Sequence, residues 1–262
     1  MTREMRIFFT LILSMLISLQ VFAGDRELAD LFAGNGVAGT MVIRSLGTGR
    51  SFIHNCRRAR SRVSPASTFK IFNTLIALEE GAVSENGNLL RWDGRHYEFP
   101  DWNRDQNLES AFRVSCVWYY REVARRVGAE KYRFYLQREG YGRLREPFDP
   151  TAFWLDGSLA VSPHEQVDFL GKVCRREMPF GASSYETLEK IMIAETNPRY
   201  TVRAKTGWAS RVRPQVGWYV GYVESGADVW VFALNIDIRS EADLPLRKSL
   251  VFDALRLKGI IR

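Results

Sequence analysis

The chain has 262 residues, 46% of them hydrophobic and 13% aromatic, enough to bury one sizeable core and too few for several independent domains. That composition excludes a disordered or low-complexity chain, and no repeat of solenoid period is present. The formal net charge of +7 is carried by arginines interleaved with acids, as in Arg121-Glu122, Arg138-Glu139 and Arg175-Arg176-Glu177, a pattern of solvated surface rather than a nucleic-acid stripe.

In chain order, the first element is a secretory signal. Arg3 and Arg6 precede a mostly apolar stretch from Ile7 to Phe22, and Val21-Phe22-Ala23 offers a small-residue cleavage site before Gly24. The stretch is shorter than the ~20 apolar residues a span requires and contains Thr10, Ser14, Ser18 and Gln20, so cleavage rather than anchoring is expected. A periplasmic protein with no membrane attachment after cleavage follows. Removing residues 1–23 takes two Arg and one Glu from the 37 basic and 30 acidic residues, leaving 35 − 29 = +6.

Glu27 to Phe32 reads as a short helix, and Gly39 to Ile43 and Arg50 to His54 as strands of a hairpin joined at 45–49. From Pro65, the apolar residues Phe69, Phe72, Leu75, Ile76 and Leu78 recur at helical spacing. Ser64 is the expected cap, Pro65 falls in the first turn, and Gly81 ends the helix. Its broad apolar surface predicts a central, buried helix. Between about Leu108 and Ile193 helical periods alternate with turns. Val123, Val127, Tyr132 and Leu136 fit one helix pair, and Val167, Leu170 and Val173 fit another. Strands are expected at Tyr200–Ala204, Val216–Val223 and Val229–Ile236, followed by a last helix over about Pro245–Leu257. The expected architecture is α+β: an antiparallel sheet flanked by helices, built from about 24–63 and 197–262, with a helical lobe over about 64–196 and a cleft between them.

The chemistry centres on Ser67-Thr68-Phe69-Lys70. Three residues apart on a helix, Ser67 and Lys70 share a face, so the amine can reach the hydroxyl whose proton must leave for nucleophilic attack. The serine also sits at a helix N-terminus, where backbone N–H groups favour developing negative charge. A lysine between Phe69 and Ile71 on a buried helix has its ammonium form disfavoured, and a neutral amine can act as a base or add carbon dioxide. Lys205-Thr206-Gly207, at the end of a predicted strand, offers a cation, a hydroxyl and close backbone approach to an extended, carboxylate-bearing substrate. Ser115-Cys116-Val117 supplies a third hydroxyl able to relay a proton.

Other chemistries find little support. Cys56, Cys116 and Cys174 match no zinc or redox spacing, and one disulfide among them is possible with partners unread. His54, His96 and His164 lie far apart, and there is no G-x-S-x-G elbow, so neither a metal site nor a Ser-His-Asp triad is expected.

Ser-x-x-Lys, Ser-x-Val and Lys-Thr-Gly, in this order and at these intervals, resemble the penicillin-recognising serine enzymes, and within them the class D (oxacillinase-type) β-lactamases. The likeness extends through Pro65-Ala66, Trp102-Asn103-Arg104-Asp105, Phe153-Trp154-Leu155-Asp156-Gly157, Ala204 and Trp208 on either side of Lys-Thr-Gly, Gly217-Trp218, Ala233-Leu234-Asn235-Ile236-Asp237 and Leu246-Arg247-Lys248. Class A enzymes fit less well, because Cys116-Val117 stands where their motif has Asp-Asn.

The resemblance implies that 24–262 is a single catalytic domain acting on small-molecule β-lactams and conferring antibiotic resistance. Ser67 would be acylated, with Lys70, as its N-carboxylated form, the general base for acylation and deacylation. Carbon dioxide or bicarbonate would be the only accessory requirement. Backbone N–H groups of Ser67 and Trp208 would form the oxyanion hole, and Ser115 would relay the proton to the departing nitrogen. Trp154 would hold the carbamate, Lys205 would take part in catalysis by tuning the field as well as in substrate binding, and Thr206, Gly207, Arg247 and Val117 would bind substrate. One departure is Tyr141-Gly142-Arg143, where the family has Tyr-Gly-Asn, which puts the anchoring of that loop in question. Two rivals remain: a D,D-peptidase or transpeptidase, which deacylates slowly, and a β-lactam sensor, for which a membrane-spanning transducer beyond the signal is expected and not found in the sequence.

Overall fold

The computed structural model describes residues 24–84 and 89–262, so residues 1–23, expected from the sequence to be a signal, lie outside the described residues. Alternating apolar residues in five of the six main strands build one antiparallel sheet. The strands are β1 (Gly39–Ser45), β2 (Ser51–His54), β5 (Ile193–Asn197), β6 (Tyr200–Ala209), β7 (Gln215–Ser225) and β8 (Asp228–Ile238), in the order β2-β1-β8-β7-β6-β5. A small second hairpin pairs β3 (Arg143–Leu144) with β4 (Leu159–Ala160). The hairpin and the three long strands stand where the sequence put them, although β6 runs to Ala209 rather than Ala204.

Because successive side chains on a strand point to opposite faces, each sheet face acquires its own core. On one face Phe232, Leu234 and Ile236 meet α1 (Arg26–Gly34) and the last helix, Leu246–Leu257, through Leu28, Phe32, Leu250 and Ala254. On the other, Val231, Ala233, Val220 and Trp218 join the larger core formed by the helices of the middle of the chain. Those are α2 (Cys56–Ala59), α3 (Lys70–Glu79), α4 (Leu108–Arg113), α5 (Val117–Val127), α6 (Ala129–Glu139), α7 (Pro163–Arg175) and α8 (Ala182–Ile191); the last helix is α9. Eight of the ten residues of α3 are buried, as its broad apolar surface predicts. Val123, Val127, Tyr132 and Leu136 fall on the α5–α6 pair, whereas Val167, Leu170 and Val173 all belong to α7.

Three expectations are corrected. Ser64 does not cap the central helix: its hydroxyl donates to Trp154 O at 2.8 Å, and the chain enters through a 3-10 turn, Ala66–Phe69, with no side-chain cap. The helical lobe ends before β5, since Ile193–Asn197 is a sheet strand; all five of its residues are exposed, which leaves no apolar alternation to read. Lys205-Thr206-Gly207 lies inside β6 rather than at its end, though β5 pairs only with Tyr200–Arg203 and leaves that stretch of β6 an open edge. The three cysteines are all free thiols.

Candidate active site

The site forms where the open edge of β6 meets the start of the central helix. Gly207 makes this approach possible: a Cβ there would lie 3.0 Å from Pro65 O and 3.1 Å from Thr68 Cγ2. Thr68 in turn donates to Pro65 O at 2.7 Å and accepts from Gln166 Nε2 at 2.9 Å, and Gln166 Oε1 accepts from the Tyr141 hydroxyl at 3.1 Å. This buried chain fixes the 3-10 turn that carries Ser67. Ala66, just before the nucleophile, holds φ +48°, a left-handed conformation that costs a non-glycine residue energy and persists where its surroundings impose it.

Lys70 Nζ lies 2.9 Å from Ser67 Oγ. The amine is completely buried, with the Tyr120 ring 5.0 Å away and no carboxylate in ion-pair contact among the described residues. Burial pushes its pKa down to about 7, opposed only by the neighbouring Cys116 thiol, which burial itself pushes up to about 11. A large fraction of Lys70 is therefore neutral near pH 7 and can accept the Ser67 proton.

Opposite stands Lys205, whose Nζ hydrogen-bonds to Ser115 Oγ and to Thr206 O at 3.1 Å. Burial first, then the positive charges of Lys70, Arg247 and Lys248, drive its pKa well below the usual lysine value. A carboxylate entering here supplies the missing counter-charge. Ser115 also sits at positive φ, +57°, between α4 and α5. Two tryptophans strap its loop: the Trp102 indole donates to Val114 O at 3.0 Å, and the Trp118 indole to Trp102 O at 2.8 Å.

Arg247 reaches the same place from α9. Its Nη1 donates to Gly207 O at 2.8 Å and its Nε to Leu244 O at 2.7 Å. The stem crosses β7 at Gly217, where a Cβ would lie 2.8 Å from Arg247 Cδ, so Gly217-Trp218 has a steric reason. Trp218 adds another, its indole donating to Ser64 O at 2.9 Å. Burial lowers Arg247 to about 10 and leaves it charged at neutral pH. Beside Lys205 and Thr206 opens a cavity of about 480 Å3, lined also by Arg113, Lys190, Lys248, Phe112 and Tyr219.

Ser67, Lys70, Ser115, Lys205, Thr206, Gly207 and Arg247 thus converge. The Trp208 side chain packs in the α1–α9 core and its indole donates to Gln215 Oε1 at 2.9 Å, which leaves only its backbone on the Ser67 side. Trp154 is fully buried, stacked 5.9 Å from Phe69, and its indole N–H has no hydrogen-bond partner. Val117 opens instead into a separate groove beside Trp118. The 141–143 loop is held without an asparagine: Tyr141 is buried, Gly142 at φ +67° has no room for a Cβ against Ala160 O, and Arg143 faces solvent. Sequence reasoning missed Gln166, which no motif marks, and the supporting parts of Thr68 and Trp118; Trp102 lay within a quoted motif without an assigned part.

A serine hydrogen-bonded to a buried lysine whose pKa falls to about 7, facing a Lys-Thr-Gly strand, defines a serine acyl-transfer enzyme, and the comparisons agree. The family model described as the penicillin binding protein transpeptidase domain matches residues 44–256. β-Lactamase OXA-20 of Pseudomonas aeruginosa is 42% identical over 209 residues, 79% of this chain and 77% of that one. The structure of FUS-1 (OXA-85), a class D β-lactamase from Fusobacterium nucleatum subsp. polymorphum, superposes with a TM-score of 0.89 at 33% identity, covering 92% of this chain and 100% of the other. The C-terminal domain of the Bacillus licheniformis BlaR penicillin-receptor follows the same fold, with a TM-score of 0.84 at 32% identity, over 90% of this chain and 96% of that one. The chain belongs to the penicillin-binding transpeptidase family and, within it, to the class D β-lactamases.

Proposed function

We propose that the chain hydrolyses the β-lactam ring of penicillin-type antibiotics through an acyl-enzyme on Ser67, and so confers resistance. The observation that carries this reading is the 2.9 Å contact between Ser67 Oγ and a buried Lys70 amine held near neutrality. Ser67 Oγ attacks the ring carbonyl, its proton passes toward Lys70, and the C–N bond breaks. Ser115, joined to Lys205, passes a proton to the departing nitrogen. The backbone N–H groups of Ser67 and Trp208 receive the carbonyl oxygen as it gains charge. Thr206 and Arg247 take the substrate carboxylate, with Lys205 and Gly207 beside them. Water then cleaves the ester and frees Ser67.

Two observations favour an added carboxyl group on Lys70: burial brings the amine down to about 7, where part of it is free to react with carbon dioxide, and the Trp154 indole, stacked on the adjacent Phe69, has a buried N–H without a partner. Such a carboxyl supplies a carboxylate base at the Lys70 position for both half-reactions. We assign residues 1–23 as a signal leading to the periplasm, with 24–262 the catalytic domain and no nucleic-acid or membrane partner after cleavage.

The likeness to a penicillin-receptor domain favours one second reading, a sensor acylated once. Steady-state turnover of a chromogenic cephalosporin separates the two. Continued turnover past one equivalent, abolished in Ser67→Ala, is the expected result; a single stoichiometric burst from the wild type would sink the hydrolase.

A further inference from the structure

The outer face of α5 carries charge that the active site does not use. Arg121, Glu122, Arg125 and Arg126 lie along it, and with Arg91, Asp93, Arg95, Tyr97 and Trp118 they line a groove of about 470 Å3 between α5 and the 90–97 segment. Five guanidinium groups face two carboxylates there, 5 − 2 = +3. The acids are already committed: Glu122 pairs with Arg125 at 2.7 Å and Arg126 at 3.3 Å, and Asp93 accepts from the backbone of Arg95. Among the described residues, Arg91, Arg95 and Arg121 have no ion-pair partner, and Arg121 Nε is buried without any hydrogen bond. Asp149, outside the groove, feels Arg121 and Arg125 without an ion pair to either, and its Oδ1 accepts from the Thr151 backbone and hydroxyl.

The far wall is built rather than loose. Trp92 donates its backbone N–H to Asp105 and its indole N–H to Arg95 O, and Asn103 bridges both backbone groups of Tyr97. Leaving a buried guanidinium donor unpaired is costly, so a groove that retains one alongside two unpaired neighbours is complementary to an anion able to accept from several forks at once. The volume is that of a small-molecule site. A single charge would not balance the lining.

We propose that this groove binds a multiply charged oxyanion, of the chemical class represented by pyrophosphate and citrate, with Arg91, Arg95 and Arg121 as its donors. Val117, the first residue of α5 and two residues from Ser115, also lines the groove, so an occupant touches the helix that follows the Ser115 loop.

The test is calorimetric titration of the whole chain with pyrophosphate and, separately, citrate, at fixed ionic strength, because exposed ion pairs are screened by salt. Saturable one-to-one binding of at least one probe is expected, weakened at least about tenfold in Arg91→Gln/Arg121→Gln, the loss of two charge-assisted bonds. Arg121→Lys, which keeps charge and fold but loses the planar fork, should fall between. Thermal unfolding of each variant without ligand reports folding independently of any β-lactam turnover. The proposal is overturned if both probes bind more weakly than about 1 mM, or if the folded double variant binds as well as the wild type.

Discussion

At Lys70 the decisive quantity is the cost of burying an ammonium without a counter-ion. Among the described residues no carboxylate pairs with it, so the group adapts by shedding its proton near pH 7. Activity should therefore fall on the acid side of about pH 7, where Lys70 takes up its proton, and level off above it; a pH–rate profile of kcat/KM checks this, and a flat profile down to pH 5 would contradict it. Lys70→Ala should keep enough acylation to trap an acyl-enzyme visible by mass spectrometry while losing turnover. The unpartnered Trp154 indole extends the argument, since Trp154→Phe keeps the ring stacked on Phe69 and removes only the donor. In that variant turnover should depend more steeply on added bicarbonate, and the carbonyl NMR signal from 13C-bicarbonate on Lys70 should weaken against the wild type. An unchanged signal would remove Trp154 from the role. Ser67 and Lys70 were legible from spacing, because residues three apart on a helical turn share a face. The strain at Ala66 and Ser115 was not, since positive φ in a non-glycine residue is imposed by neighbours that the local sequence does not name.

Among the elements, the contact between β6 and the 3-10 turn sets the geometry of the reaction, and Gly207 sets the contact. In Gly207→Ala the new methyl would press on Pro65 O, which cannot retreat easily because it accepts from both Thr68 N and Thr68 Oγ1. Strand and turn should part by a few tenths of an ångström. We expect kcat/KM to fall by about tenfold or more with little change in thermal stability, since catalysis is far more sensitive than packing to such a shift. Wild-type kinetics in a folded variant would show that the junction tolerates the separation. The same junction explains what sequence reasoning could and could not see. The predicted strand stopped at Ala204 because Lys205-Thr206-Gly207 breaks the apolar alternation, and it does so because one side of β6 there faces a polar cleft. β5 went unseen for the opposite reason: as a fully exposed edge strand it buries nothing on either face. The long strands and the central helix were readable because each buries a regular apolar face.

For the molecule as a whole, the two ends of the described chain are locked together on the sheet face away from the cleft. Lys258, just beyond α9, donates to Asp25 at 2.7 Å and Glu27 at 2.5 Å, and Asp25 also caps α1 by accepting from Leu28 N. The lysine side chain is 5% exposed and lies over the Phe52 ring. Burial by itself would lower its pKa, but the two carboxylates outweigh burial and raise it. A lysine whose folded pKa is raised contributes stability in full below its unfolded value of 10.5, and that contribution is lost as pH climbs through the folded value. Lys258→Met keeps the stem against Phe52 while leaving Asp25 without its cation. We expect a loss of about 1 kcal/mol at neutral pH, discounted for the exposure of Glu27, or roughly 2–4 °C in Tm for a protein this size. Because the wild type sheds the charge at high pH, the gap should close in strongly alkaline buffer. Thermal unfolding of both proteins across that range decides the matter: a gap that stays constant into alkali would assign the effect to packing against Phe52 instead of to the ion pairs that join the first helix to the last.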